Sequence, residues 1–398
     1  MKEINWKNDP LLHLEKYKYI IKQRFINAYR ALVLIDDLKS PRWMIRTPYV
    51  KGKNLFKKLR ALLKDFGKLD SIVPEILERL EKYIGHTHVK RSVGLRTLKK
   101  QFKQKKINLI VLRCISLLLE EYINKPSIEI FLEMIKNVDV YCGGFKRYNQ
   151  FKIPLTLSQV LSNEQIYLVG VICGDGHICR NDLHVEIIDG HHNKNLLKFS
   201  RIYLHKLKKL IFQNFKVRSY IKRKGNTYLL NITSKWLGTY LHNFFNIPIG
   251  KKASKISIPE ILFLLPKKAA LERLTFFWRG MFDTDGSVNL NMSNFQITFA
   301  TKSKIIDSLE KFLLNPSIGI SYTRRKEKGV YKIEINIADY LKFARKIGSY
   351  HPLKIRALVK HLMKGPTFYT KKKWRRLSTK EVSILVKKWE TLRTPHLS

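Results

Sequence analysis

The sequence predicts an α+β protein built on two copies of an αββαββα unit, preceded by an all-α N-terminal domain and followed by a basic helical tail. Two segments carry most of this expectation. Leu168-Val-Gly-Val-Ile-Cys-Gly-Asp175-Gly176 and Trp278-Arg-Gly-Met-Phe-Asp-Thr-Asp285-Gly286 share one pattern: an apolar helical run, glycine at its third position, and Asp-Gly at its end. Similar strand and helix signals then follow each copy in the same order. The first 140 residues carry helical spacing without either motif. The expected domains are residues 1–144, a linker at 145–161, repeats at 162–265 and 266–365, and the tail at 366–398.

In the N-terminal part, apolar residues recur at three- and four-residue spacings over Leu11–Leu38 and Ile72–Ile84, the habit of helices. Helices are expected at Ile107–Ile123 and Ile128–Val138, the second introduced by Pro126. Val73–Ile84, a turn at Gly85-His-Thr-His88 and Val93–Phe102 form a candidate helix-turn-helix, with Lys90, Arg91, Arg96, Lys99 and Lys100 on its second half. A helical bundle with a solvated basic face is the alternative. Cys142-Gly143-Gly144 and the polar run to Asn163 read as the linker.

The first repeat opens with Ser162 and Gln165 in capping-box spacing. An alternating strand His184–Ile187, a helix Lys194–Phe215, strands Lys216–Lys224 and Tyr228–Ile232 around Gly225, and a helix Trp236–Phe245 follow. The second repeat has strand Phe295–Phe299, helix Ser303–Leu314, strands Ile320–Lys326 and Tyr331–Ile337 around Gly329, and helix Ala338–Ile347. In the tail, Lys371-Lys-Lys-Trp-Arg-Arg376 precedes a capping box at Ser378 and Glu381 and a helix to about Leu392. That basic cluster around Trp374 suits phosphate contact, and a purely solubilising tail is the alternative.

Each motif glycine, Gly176 and Gly286, is expected to serve as a left-handed helix cap. The aspartate before it then sits at the negative end of the helix dipole, a poor place for helix stability and a good one for holding a cation. Gly170 and Gly174 lie on one helix face, and Gly280 and Thr284 repeat the arrangement, so the two backbones can approach closely and set Asp175 beside Asp285. In these features the chain resembles the LAGLIDADG, or dodecapeptide, homing endonucleases of the single-chain, two-motif kind. The resemblance covers about Ser162 to Lys360 and leaves the first 140 residues unexplained.

That resemblance implies a site-specific double-strand DNA endonuclease, monomeric with internal pseudo-twofold symmetry. The eighth motif position is the family's metal-binding acid, which maps onto Asp175 and Asp285, with Mg²⁺ as the ion and Mn²⁺ able to substitute. It also implies a lysine after the last helix of each repeat. Lys251 and Lys354 take that place, because Tyr228 to Lys251 and Tyr331 to Lys354 both span 23 positions. Neighbouring Lys252 is the alternative. Cys173 stands where the second motif has Asp283, a difference expected to affect packing rather than chemistry.

Strand alternation offers a nucleic-acid surface. Lys216, Arg218, Tyr220, Lys222 and Lys224 share one face, Gln296 and Thr298 oppose Ile297 and Phe299, and Lys332 and Asn336 oppose Ile333 and Ile335. Arg324 and Lys326 share a face with Ile320, a less tidy strand. Two polar sheets related by the pseudo-twofold could line a concave saddle on DNA, where such side chains read base edges and bind phosphate.

The formal net charge of +46 points to a polyanion, nucleic acid ahead of an anionic membrane. Double-stranded DNA is the expected partner and RNA the alternative. The competing reading is a non-cleaving transcriptional regulator or RNA-splicing maturase on the same fold. Four cysteines without a disulfide framework favour a reducing cytoplasm, at the nucleoid if the source is prokaryotic. Cys173, His177, Cys179 and His184 match no familiar zinc spacing. A splicing intein would begin with Cys or Ser and end in His-Asn, whereas Met1 and His396-Leu-Ser398 suggest a free-standing protein.

Overall fold

The computed structural model describes residues 49–52, 54–63, 72–84, 95–135, 137–138, 140–142, 150–152, 160–289, 296–364 and 376–391. The expected helix Leu11–Leu38, the turn Gly85–His88 with Lys90 and Arg91, most of the linker, and Lys371 to Arg375 lie outside them. The chain forms two compact units, residues 1–157 with 215–217, and residues 158–214 with 218–398.

The first unit contains β1 (Tyr49–Lys51), α1 (Leu55–Leu62), α2 (Val73–Ile84), α3 (Leu95–Lys103), β2 (Ile107–Asn108), α4 (Leu109–Ile123), α5 (Ser127–Ile135), β3 (Val140–Cys142) and β4 (Gln150–Lys152). Its strands pair antiparallel in the order β2-β1-β3-β4, which corrects the all-α expectation. Strands of two or three residues are too short to show an alternation, so the helical signals around them dominated. Asn108 ends β2 and caps α4, accepting a hydrogen bond from the Ile110 amide at 3.0 Å. Within α4, Arg113 is fully buried and its guanidinium donates to Ser116 Oγ at 2.9 Å.

The second unit repeats itself. Its first half runs α6 (Asn163–Gly174), β5 (Gly176–Ile178), β6 (Val185–Gly190), α7 (Leu197–Phe215), β7 (Tyr220–Lys224), β8 (Thr227–Ile232) and α8 (Lys235–Phe245). After a 3₁₀ turn at Glu260–Leu264, the second half runs α9 (Lys267–Asp285), β9 (Gly286–Val288), β10 (Ile297–Thr301), α10 (Ile305–Leu313), β11 (Tyr322–Glu327), β12 (Val330–Ile335) and α11 (Tyr340–Lys346). Two further helices follow, α12 (Pro352–Lys364) and α13 (Thr379–Glu390). Each half folds its strands into a four-stranded antiparallel sheet, β5-β6-β8-β7 and β11-β12-β10-β9. Alternation buries Val185, Ile187, Leu230 and Ile232 in one sheet and Ile297, Phe299, Ile333 and Ile335 in the other.

Helices α6 and α9 form the spine. A Cβ on Gly170 would stand 2.1 Å from the Phe277 carbonyl oxygen, and one on Gly280 would stand 2.3 Å from that of Tyr167. At the next turn the space beside Gly174 is filled by Thr284 Oγ1. These four residues therefore hold the backbones together as expected. Gly176 and Gly286 do a different job from the one foreseen. Gly286 has φ −84° and neither glycine is left-handed. Each starts a strand that folds back over its own helix, where a Cβ would meet the Ile172 carbonyl oxygen at 2.8 Å or that of Phe282 at 2.5 Å.

Two sequence expectations shift. Lys216 takes a left-handed conformation, φ 58°, just after α7, so it and Arg218 precede strand β7 rather than belong to it. The C-terminal helix is no separate tail. Leu377, Val382, Leu385 and Trp389 of α13 and the residues before it are buried, and the Trp389 indole donates to Ala344 O at 2.6 Å while lying against Gly348. Among the described residues no helix is long and apolar enough to cross a membrane.

The helix spine yields a test with a definite sign. An ordinary helical Gly→Ala change stabilises by about 1 kcal/mol, whereas Gly170→Ala should destabilise by about 1–3 kcal/mol through overpacking. Chemical denaturation measures it; an unchanged or raised midpoint would contradict the close contact.

Candidate functional site

The spine brings both motif aspartates to one end. A Cβ on Gly174, the residue before Asp175, would lie 3.5 Å from the Asp285 carboxyl carbon. Asp175 caps α6 with φ −89°, ψ −1°, and Asp285 is the last residue of α9. Beside them opens a cleft of about 1100 Å³, lined among others by Asp175, Asp189, Lys252, Thr284, His351 and Lys354.

The electrostatics of this floor are unfavourable for two free carboxylates. Burial and the adjacent Asp175 push the Asp285 carboxyl up to about 6, against the pull of Lys252 and Lys354. Asp175 reaches solvent in the cleft, yet the protein around it raises its carboxyl too, with Lys354 opposing. Burial and a like charge thus work in the same direction on both groups.

One lysine closes each helix end. Lys354 Nζ donates to the carbonyl oxygens of Phe282 at 2.6 Å, Asp283 at 2.8 Å and Gly286 at 2.6 Å. Lys252 Nζ does the same for α6, donating to Ile172 O at 2.5 Å, Cys173 O at 2.7 Å and the Gly174 carbonyl. A cation on these orphan carbonyls opposes the negative end of the dipole. The residue at this place is Lys252, and Lys251 is exposed beside it. Counting from Tyr228 misplaces it by one residue because the loops between helix and lysine differ, with a left-handed Gly250 in the first repeat and Pro352 opening α12 in the second. Burial lowers both ammonium groups from their ordinary range.

Residues 272–348 match the family model described as a LAGLIDADG-like domain. That match spans most of the second repeat, which is thus similar to a LAGLIDADG-like domain. The first repeat has the same element order and the same helix end as the second. Among curated proteins, a probable translation initiation factor IF-2 of Methanocaldococcus jannaschii is 30% identical over 217 residues, 52% of this chain and 16% of that protein. Its counterpart in Thermococcus kodakarensis is 29% identical over 153 residues, 37% of this chain and 11% of that protein. The chain thus spans only a small part of the length of these relatives. Among solved structures, I-DmoI in complex with DNA and Mn is 22% identical with a TM-score of 0.34, covering 47% of this chain and 97% of that one. The homing endonuclease I-WcaI bound to its DNA recognition sequence is 16% identical, with a TM-score of 0.34 and coverage of 51% and 87%.

Within the two repeats, the structure sorts the residues expected to face nucleic acid. Tyr220, Lys222 and Lys224 share the outward face of their sheet with Glu186 and Asn231, as the register Tyr220↔Asn231↔Glu186 requires. Thr298, Lys332 and Asn336 lie on the corresponding face of the second sheet, with Lys332 paired to Glu327. Gln296 directly precedes β10, its carbonyl accepting from the Asn289 amide at 3.1 Å. Arg324 and Lys326 take the opposite face. They pair in register with Ile333 and Tyr331; Arg324 forms ion pairs with Asp307 and Glu310 of α10, and both cations stack on the Tyr331 ring. Buried Ile320 sets that parity, which puts exposed Arg325 and Thr323 on the outward face instead.

Several site residues escaped the sequence. Asp189, at the end of β6, meets His351 Nε2 at 3.0 Å across the two repeats. Burial opposes its charge, yet His351 and Lys354 hold Asp189 below the usual carboxylate range. Asp283 accepts from the Tyr167 hydroxyl at 2.7 Å, the Tyr350 amide at 2.9 Å and the Ser349 hydroxyl, tying both helices to the loop before α12. It is a packing anchor at the position where the first motif has buried Cys173, and the sequence showed that difference but not the partners.

Because Asp285 titrates near 6 when folded and near 3.8 in its ordinary state, ionising it costs the folded protein. In EDTA, the contribution of Asp285 to stability should fall as pH rises from about 4 to about 7. Asp285→Asn should remove that loss and be the more stable protein at pH 7.5, by on the order of 1–2 kcal/mol once solvent screening is allowed for. Equal pH profiles for both proteins would contradict the crowding of the two carboxylates.

Proposed function

We propose that this protein is a site-specific double-strand DNA endonuclease whose divalent cation is held between Asp175 and Asp285. The crowding of these two carboxylates at one helix junction carries the reading. Their oxygen donors suit a hard cation such as Mg²⁺ or Mn²⁺. A cation would offset the burial that raises both groups and the neighbouring carboxylates, Asp189 for Asp175 and Asp175 for Asp285, that add to it. When bound, such an ion lowers the pKa of a coordinated water and offsets charge on a phosphate.

The chain's own residues supply the rest. Lys252 and Lys354 place positive charge at the cleft floor, where a phosphodiester's developing charge would need it. The outward sheet faces, with Tyr220, Lys222, Lys224, Arg325 and Lys332, offer cations, an aromatic ring and hydrogen-bond donors to a duplex. A net charge of +46 favours so long a polyanion.

Cleavage of duplex DNA should therefore require Mg²⁺ or Mn²⁺ and stop in EDTA, read from a plasmid library of random sequence. Asp175→Asn and Asp285→Asn should each abolish double-strand cutting while keeping DNA affinity, or tightening it. Lys252→Met and Lys354→Met should slow cutting by about 10- to 100-fold. Undiminished cutting in excess EDTA, or by either aspartate variant, would overturn the mechanism. Tight binding without cutting by the native protein under any of these ions would favour the non-cleaving alternative.

A further inference from the structure

The tip of the β5–β6 hairpin gathers three side chains of different chemistry. Cys179 Sγ lies 3.1 Å from His184 Nε2, which lies 3.2 Å from Glu186 Oε1, and all three donor atoms fall within 4.8 Å of one another. The far nitrogen of the ring, Nδ1, is engaged by Asp182, and Glu186 Oε1 also accepts from Asn231 Nδ2 at 3.2 Å. When the ring is neutral and donates Nδ1–H to Asp182, Nε2 is left facing the thiol and the carboxylate. Three groups able to offer electron pairs thus converge on one point, where a cation can take the place of the shared protons.

We propose that Cys179, His184 and Glu186 form a binding site for zinc or a similar borderline transition metal, separate from the Asp175–Asp285 pair. A tetrahedral Zn²⁺ with bonds of about 2.0–2.3 Å sets its ligand atoms roughly 3.3–3.6 Å apart. The Sγ–Nε2 and Nε2–Oε1 distances need only a small widening. Thiolate and imidazole select such a metal over Mg²⁺, whose preference is for oxygen alone. Asp182 orients the ring from behind, as the outer partner of a metal-bound histidine does. On binding, the Cys179 thiol gives up its proton to solvent and its sulfur takes a bond to the metal, leaving a fourth position for water.

The second repeat is an internal control. The Cys179 amide donates to the His184 carbonyl at 2.9 Å, and at the same place the Asn289 amide donates to Gln296 at 3.1 Å. Asn289, Gln296 and Thr298 thus stand where Cys179, His184 and Glu186 do, and they offer no sulfur, imidazole or carboxylate. The ligand set is therefore no demand of the LAGLIDADG repeat. It lies on the outward sheet face, where a metal would pin the hairpin that carries Glu186.

Cobalt is the probe. Full-length protein freed of metal with a chelator and titrated with Co²⁺ in excess Mg²⁺ should develop a near-ultraviolet thiolate-to-cobalt band, saturating at one equivalent and lost on adding Zn²⁺. Cys179→Ser should abolish the band, and His184→Gln, Glu186→Gln and Asp182→Asn should each weaken Co²⁺ binding by about 10- to 100-fold. Circular dichroism separates loss of metal from loss of fold, and Glu186→Gln keeps the thiol if Cys179→Ser unfolds. No thiolate band in the native protein, or a band that survives in folded Cys179→Ser, would overturn the site.

Discussion

The rest of the structure depends on the close approach of α6 and α9. With glycine at 170 and 280, backbone meets backbone, leaving no room for a Cβ. That contact makes two separate repeats into one unit and brings two helix C-termini to a common point. Everything charged at that point follows from it. The dipole ends gather orphan carbonyls, Lys252 and Lys354 cap them, and two aspartates are pressed together against their own electrostatics.

The site is thus strained in a specific sense. Its acids are destabilised as anions, and its lysines are drawn below their ordinary range by burial. Each lysine ammonium is already occupied with backbone carbonyls, so in the protein alone it stabilises helix ends. Only a polyanion or a cation changes what those charges face. Pre-arranged charges of this kind need little reorganisation when a charged ligand arrives.

Much of this was legible in the sequence because the signals were local and doubled. Asp-Gly after an apolar run with Gly170 or Gly280 marks a helix, its end and its contact face within nine residues. Alternation of Val185 and Ile187, or of Ile333 and Ile335, gave the buried face of each sheet. What failed was long-range or short-range in scale. The Asp189–His351 pair joins residues from different repeats, which no spacing encodes. Lys252 could not be told from Lys251 because a loop, not a periodic element, sets its register. The strands of the first unit, three residues at most, are too brief for alternation to show. Arg324 was misassigned although Ile320 already shared its face, and the ion pairs with Asp307 and Glu310 show which way that face turns.

In the proposed function, Asp175 and Asp285 share a cation in surroundings that otherwise favour the proton. Mn²⁺ affinity measured against pH between 5 and 8 tests it most directly, because metal and proton compete for the same carboxylates. Affinity should rise with pH and level off above the Asp285 titration near 6, and Asp285→Asn should bind weakly with little pH dependence. A pH-independent affinity, or an unchanged profile in Asp285→Asn, would contradict the account.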